Sequence, residues 1–174
     1  YGEEITAQVT DRVYFVDFLR PPKVDEETGE TVDANPSYYE STESLNSLRE
    51  VAMARQADFN ETSKSLKLDL VLFEDALNHM MRISRLLCME RGSALLIGVG
   101  GSGKQSLTRL AAYIAGAFPF QIQITKTYNQ TNLFEDIKAL YVNAGLKGNK
   151  VAFIFTDAEV KDESFLEYIN QLLM

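Results

Sequence analysis

The stretch "GSALLIGVGGSGKQSLTRLAAYIAG", Gly92 to Gly116, decides the fold, because it satisfies two nucleotide-binding patterns at once. Gly98, Gly100 and Gly103 fit the dinucleotide fingerprint G-x-G-x-x-G. Gly98, Gly103 and Lys104 fit the phosphate loop G-x-x-x-x-G-K, which ordinarily continues with Ser or Thr and here continues with Gln105. Upstream, Ala94 to Ile97 is an unbroken apolar run of the kind that forms a buried parallel strand. Downstream, Leu107, Leu110, Ala111 and Ile114 recur at i, i+3, i+4 and i+7 and predict one apolar helix face. A strand, a glycine loop and a helix is the context either pattern needs, since both set phosphate against free N–H groups at a helix N-terminus.

Charge separates the two patterns. A dinucleotide site wants an Asp or Glu about 20 residues past the glycines to hold the ribose hydroxyls. From Arg91 through Phe134 the sequence has no Asp or Glu, although the chain carries a formal charge of −8. Arg91, Lys104, Arg109 and Lys126 lie in that same window. A cationic, acid-free zone around the loop suits polyphosphate, with Lys104 as the residue that reaches the β and γ phosphates. Backbone N–H groups of Val99, Gly100, Gly101, Ser102, Gly103 and Lys104 are the expected cradle.

Composition narrows the class. The 174 residues, 45% apolar, are enough for the core of one domain or slightly more. No apolar run approaches the 18 or more residues of a membrane span, so no membrane partner is expected. The acidic balance opposes non-specific nucleic-acid binding. One cysteine, Cys88, excludes an internal disulfide and is expected to pack on a helix. The single histidine, His79, leaves a His/Cys metal site almost no ligands and reads as a helix surface or interface residue.

Along the chain, residues 1–20 carry an apolar patch, Val13 to Val16 with Phe18 and Leu19, expected as a helix. Residues 21–66 read as an acidic, Pro- and Gly-rich loop followed by a short helix with Leu45, Leu48, Val51 and Ala52 on one stripe. Leu70 to Met89 predicts a longer helix with Leu72, Ala76, Met80, Ile83 and Leu87 on one side, Met80 and Met81 serving as core filler. Phe120 to Thr125 predicts an alternating strand. Asn132 with Glu135 predicts a cap for a helix through Leu133, Ile137, Leu140, Tyr141 and Ala144, stopped by Gly145. "VAFIFTD" predicts a third buried strand, and Ser164 to Leu173 a third helix. Alternating strands and helices imply an α/β fold with a parallel sheet, thin enough at three strands to be part of a larger domain.

A phosphate-loop hydrolase also needs an acid for Mg²⁺ at the end of a buried strand, usually beside a Glu that activates water. "FIFTDAE" offers Asp157 alone. If Asp157 is the metal acid, Ala158 stands where the base should be; if Asp157 is in the base position, Thr156 replaces the metal acid. Glu159 is expected to point along the loop. Gln105 can ligate Mg²⁺ through its amide oxygen, less well than a hydroxyl, and Ser106 is turned about 100° away on the helix. No arginine follows Arg109, so the remainder of the chain holds no lid arginine or arginine finger in cis.

The segments "LVLFEDALNHMMRISRLL", "RGSALLIGVGGSGKQSLTRLAAYIAG", "NLFEDIKALYVNAGLKG" and "VAFIFTDAEVKDESFLEYIN" together resemble the fourth AAA+ module of a dynein heavy chain, over residues 67–174. "GVGGSGKQSL" and "TDAEV" are more similar to axonemal dyneins than to the cytoplasmic form, which keeps a hydroxyl residue after the Lys and an Asp-Glu pair on the third strand. The resemblance implies an incomplete P-loop NTPase three-layer sandwich, preceded by a mostly helical segment from the module before it. It implies ATP or ADP with Mg²⁺ on Gly98 to Ser106, Asp157 at the hydrolytic position, Thr156 at the metal-acid position, and Leu70, Val71, Leu72 and Phe73 near the adenine. Partners implied are the neighbouring AAA+ modules of the same heavy chain, microtubules through a stalk, and dynein intermediate and light chains, in the cytoskeleton of a cilium or flagellum axoneme. Substitutions at 105 and 156 leave three expectations open: a regulatory, slowly hydrolysing module of a motor, an autonomous phosphotransferase, or an interaction module without nucleotide.

Overall fold

A computed structural model describes residues 14–20, 23–25, 28, 31–33, 37–42, 44–63 and 66–173. The chain divides into two compact units, residues 1–82 and 83–174. No described helix is long and apolar enough to cross a membrane.

In the first unit the patch expected as a helix is extended where it is described, and residues 1–13 lie outside the described set. Strand β1, Phe15–Val16, pairs antiparallel with β4, Glu40–Ser41. Val16 and Phe18 are both buried while Phe15 is exposed, a period of two that suits a strand and not a helix. The expectation of a helix failed because a four-residue apolar run fits both periods until its pairing partner is known. Arg20 clamps Glu40 with a two-pronged guanidinium–carboxylate contact of 3.0 and 2.9 Å, closing this short ribbon. Between these strands the acidic stretch forms a second antiparallel pair, β2 (Lys23–Val24) with β3 (Thr31–Asp33).

Helix α1, Leu45–Thr62, is a full 18 residues and begins at Ser44, whose hydroxyl accepts from Ser47 N–H. It buries Leu48, Ala52 and Phe59. Its end is fixed from the side: Asn60 donates to Leu68 O at 2.8 Å and accepts from Leu68 N–H at 2.7 Å. Helix α2, Glu74–Cys88, starts four residues later than the periodicity suggested, where Glu74 and Asp75 meet the positive helix end. Leu77, Met80, Met81 and Ser84 make its buried face, with Ile83 also buried. The two methionines are core residues, as expected, and His79 is exposed, as expected. Cys88 is exposed at the helix end, contrary to the packing role expected of it.

The second unit holds the parallel pair. Helix α3, Lys104–Ile114, leads into β5, Phe118–Phe120; helix α4, Gln130–Tyr141, then crosses over to β6, Val151–Phe153. Phe118 pairs with Val151, Pro119 with Ala152 and Phe120 with Phe153. The core centres on Ile122, Tyr128, Leu133 and Phe165, with Ala112, Ala117 and Ala152 forming a smaller contact that α3 reaches.

Three local expectations are corrected here. Pairing stops after Phe120, although the alternation beyond it still sorts Ile122 inward and Gln123 outward. The cap of α4 is Asn129, whose side chain accepts from Thr131 and Asn132 N–H while Asn132 reciprocates on Asn129 N–H at 3.0 Å. Gly145 does not stop the helix; it lies inside a π turn, Val142–Leu146, and the left-handed φ falls at Gly148. Helix α5, Glu163–Leu173, is begun by Asp162, whose carboxylate accepts from Ser164 N–H and Oγ.

The largest departure concerns residues 94–97. They pair with no described strand, and Leu95 and Ile97 are each 87% exposed. Leu95, Ile97 and Val99 follow at i, i+2 and i+4 with one side in common, and a strand is buried only by neighbours on its faces and edges, which the described residues do not provide.

Candidate nucleotide site

The glycine loop closes on its own lysine. Lys104 Nζ donates to Gly98 O and Val99 O, each at 2.7 Å, and to Ser102 Oγ at 3.2 Å. Two glycines make the turn possible: Gly101 and Gly103 both sit at φ 76°, in the left-handed region that a side chain disfavours. Gly103 is the N-cap of α3 and offers no side chain to cap it. The first intrahelical bond of α3 is Leu107 N–H to Gly103 O at 2.8 Å, so the N–H groups of Lys104, Gln105 and Ser106 lie ahead of the ladder. An ammonium, three such N–H groups and the positive helix end converge on one loop, which is the donor chemistry an anion needs. Gly98 and Gly100 need no left-handed φ, and a side-chain carbon at Gly100 would meet no atom within 4 Å.

Two of the other three cations of the acid-free window are differently employed. Arg109, one turn further along α3, donates to the Gln121 side-chain oxygen. Lys126 is exposed on the loop after β5, where its carbonyl accepts from Lys161 Nζ at 2.7 Å. Lys104 is therefore the cation that the described contacts place at the loop.

The strand-end acid sits otherwise than expected. Strand β6 ends at Phe153, and Asp157 opens a 3₁₀ turn, Asp157–Glu159, with its side chain exposed. Thr156 is the cap of that turn. Its N–H and its hydroxyl both donate to Glu159 Oε2, each at 2.6 Å. Glu159 is 6% exposed and is the buried carboxylate of this unit, so the expectation that it points along the loop is corrected. Its second oxygen, Oε1, accepts from Gln121 Nε2 at 2.8 Å. A continuous chain thus runs from Arg109 on α3 through Gln121 and Glu159 to Thr156. The sequence carried a signal for part of it: Thr156 to Glu159 is the T-x-x-E spacing of a capping box. Gln121 carried none, because its partners lie 12 and 38 residues away.

The donor set for Mg²⁺ is thin. No group of three or more His, Cys, Asp or Glu side chains that could hold a metal occurs among the described residues. Gln105 is exposed at the start of α3, Asp157 is exposed, and the Thr156 hydroxyl proton is taken by Glu159. Such a set suits an ion held mainly by phosphate oxygens and water, the usual habit of Mg²⁺, and does not suit a protein cage. Tyr128, the buried phenol of this unit, is pushed well above its ordinary pKa by burial and then by its bond to Asp136, to which its hydroxyl donates. Leu70 to Phe73 fall in the first unit, where Leu72 is buried and its carbonyl accepts from Arg49 Nε at 2.9 Å.

Comparison with known proteins bears on the two glycine patterns. Residues 68–174 match the family described as "P-loop containing dynein motor region D4". The chain belongs to the dynein heavy chains. It is 56% identical, over 100% of its length, to the dynein gamma chain of the flagellar outer arm of Chlamydomonas reinhardtii. It is 51% identical over 99% of its length to dynein axonemal heavy chain 5 of Rattus norvegicus, and 49% identical over 99% to dynein axonemal heavy chain 8 of Homo sapiens. It spans only 4–5% of the length of these dyneins. The phosphate-loop reading of Gly98 to Lys104 is thereby preferred over the dinucleotide reading, and the α/β class with its parallel pair agrees with the family.

Proposed function

We propose that this chain is the fourth, ATP- or ADP-holding AAA+ module of an axonemal dynein heavy chain, and that it regulates a microtubule motor without contributing much turnover of its own. The observation that carries the reading is the loop itself: Lys104 and the open N-terminus of α3 face the same loop, turned by two left-handed glycines. Phosphate oxygens would accept from the N–H groups of Val99 to Ser106, with Lys104 shifting from the loop carbonyls to the β and γ phosphates. Gln105 is the group assigned to a Mg²⁺ carried by the nucleotide, and Asp157 is assigned the position of the hydrolytic base. Residues 67–174 are assigned to the module.

Slow hydrolysis follows from the chemistry of the substitutions. A water-activating base contributes typically about 10² to 10⁴ in rate, and Asp157 is a methylene shorter than the usual Glu. An arginine finger contributes about 10³ to 10⁵. The last arginine of these 174 residues, Arg109, is bound to Gln121, so that charge would have to come from outside them. The location that fits this reading is the axoneme of a cilium or flagellum, with the adjoining modules, microtubules through the stalk, and dynein intermediate and light chains as partners. An autonomous phosphotransferase is disfavoured by the relatives, all of them far longer chains.

The test is nucleotide retention in the full heavy chain with the other phosphate loops disabled. Lys104→Ala should weaken retention about 100-fold, the equivalent of losing one or two charged hydrogen bonds. Retention unchanged by Lys104→Ala would refute the assignment and leave the interaction module without nucleotide. Rapid turnover in the parent background would refute the regulatory reading.

A further inference from the structure

Glu159 is a carboxylate buried to 6% exposure, and its two oxygens accept from two different parts of the unit. Oε2 takes the N–H and hydroxyl of Thr156, at the head of the turn that carries Asp157. Oε1 takes Gln121 Nε2, just beyond β5. Gln121 in turn presents its carbonyl oxygen to the Arg109 guanidinium on α3, the helix whose first turn forms the loop. The amide of Gln121 is thus a dipolar spacer, oxygen toward the cation and nitrogen toward the anion. Arg109 offsets the buried charge of Glu159 through that spacer, which a lone buried carboxylate requires.

We propose that Glu159 is a positioning residue that, through Gln121 and Arg109, couples the phosphate-loop helix to the Thr156–Asp157 turn. This rests on the nucleotide-binding reading of the loop. A phosphate drawing on the first turn of α3 shifts the helix that holds Arg109, and the relay carries that shift to the turn. Because each member is bound at both ends, the relay has few alternative arrangements and passes displacement on without slack.

The bonding rules supply a sharp test. In Glu159→Gln the new amide oxygen can satisfy Thr156, but its NH₂ then faces the NH₂ of Gln121, donor against donor. Flipping Gln121 only moves the conflict to Arg109. The exchange Gln121→Glu with Glu159→Gln restores every bond: Arg109 donates to Glu, the new Gln donates to that Glu, and its oxygen accepts from Thr156.

The experiment uses the full heavy chain with the other phosphate loops disabled, and the fluorescent ADP analogue mant-ADP as probe. Two quantities are read: its affinity, and the nucleotide-induced slowing of hydrogen exchange at residues 156–160. Glu159→Gln should lower affinity about 5- to 20-fold and abolish the nucleotide-dependent slowing, and the exchanged pair should recover both. If Glu159→Gln alters only thermal stability, leaving affinity and slowing at parent values, the relay is structural and the proposal falls. If the exchanged pair folds yet recovers neither, it also falls. Lys104→Ala runs alongside: unchanged affinity there would overturn the nucleotide reading and this inference with it, whereas lost affinity there with parent behaviour in Glu159→Gln would overturn this inference alone.

Discussion

Replacing Gly100 with alanine separates what the fold requires of the loop from what a ligand requires. A side-chain carbon built at Gly100 meets no atom within 4 Å, and its φ is not in the left-handed region. Without nucleotide, Gly100→Ala should therefore be neutral, or stabilising by about 0.4–1 kcal/mol through a less flexible unfolded chain. Gly101→Ala is the contrast. It also has open space, but φ 76° costs an alanine roughly 1–2 kcal/mol whatever binds there. Gly98→Ala is intermediate, with ordinary contacts of 3.6 Å to Lys104 Cδ and Ser102 Oγ.

With phosphate lying against the backbone, the added methyl at Gly100 would cost at least one charge-assisted N–H bond, about 1.5–3 kcal/mol, or about 10- to 150-fold in affinity. The assay pairs mant-ADP titration of the full heavy chain, other phosphate loops disabled, with hydrogen exchange of amides 98–116 in the absence of nucleotide. Unchanged exchange with lost affinity is the expected result. If Gly100→Ala bound nucleotide as tightly as the parent, phosphate would not lie against this backbone, and the cradle assigned to Val99 to Lys104 would be wrong.

Two further outcomes follow from the second unit. Leu133 is fully buried among Ile122, Tyr128 and Phe165, so Leu133→Ala should cost about 2–5 kcal/mol and speed hydrogen exchange across α4 far more than across α1. Asp162 is held below its ordinary pKa by the Ser164 hydroxyl and then by the Ser164 N–H; its contribution to α5 is therefore complete above the ordinary carboxylate value and is lost as pH falls through the lower folded value. Ser164→Ala should move that loss to higher pH, read as hydrogen-exchange protection at residues 163–168 corrected for intrinsic rates, and an unmoved profile would show that the cap does not depend on the hydroxyl.

What the sequence made legible was local. The buried face of α3 at Leu107, Leu110, Ala111 and Ile114 appeared where its 3.6-residue period placed it, and Met80 and Met81 filled the core, because a helix face is set by neighbours three and four residues away. Strands were legible only as inward and outward alternation. Ile122 pointed inward as the pattern required, yet pairing ended at Phe120, since the extent of a ladder depends on a partner about 30 residues distant. Burial of residues 94–97 was misread for the same reason: an apolar run states a need for neighbours and does not supply them. The acid-free window was legible as charge, but charge in sequence is not charge at a site. Arg109 turned out to be engaged by Gln121 and, through it, to offset Glu159, an acid that lies outside the window. Of the cations whose contacts are described, Lys104 is the one at the loop, and with the α3 N-terminus it would face the phosphate proposed there. With Lys104 and fixed backbone dipoles as the donors, the affinity of this loop for nucleotide should depend more on geometry than on ionic strength in a salt titration of mant-ADP binding, because oriented N–H groups act within hydrogen-bond range, well inside the roughly 8 Å over which physiological salt screens.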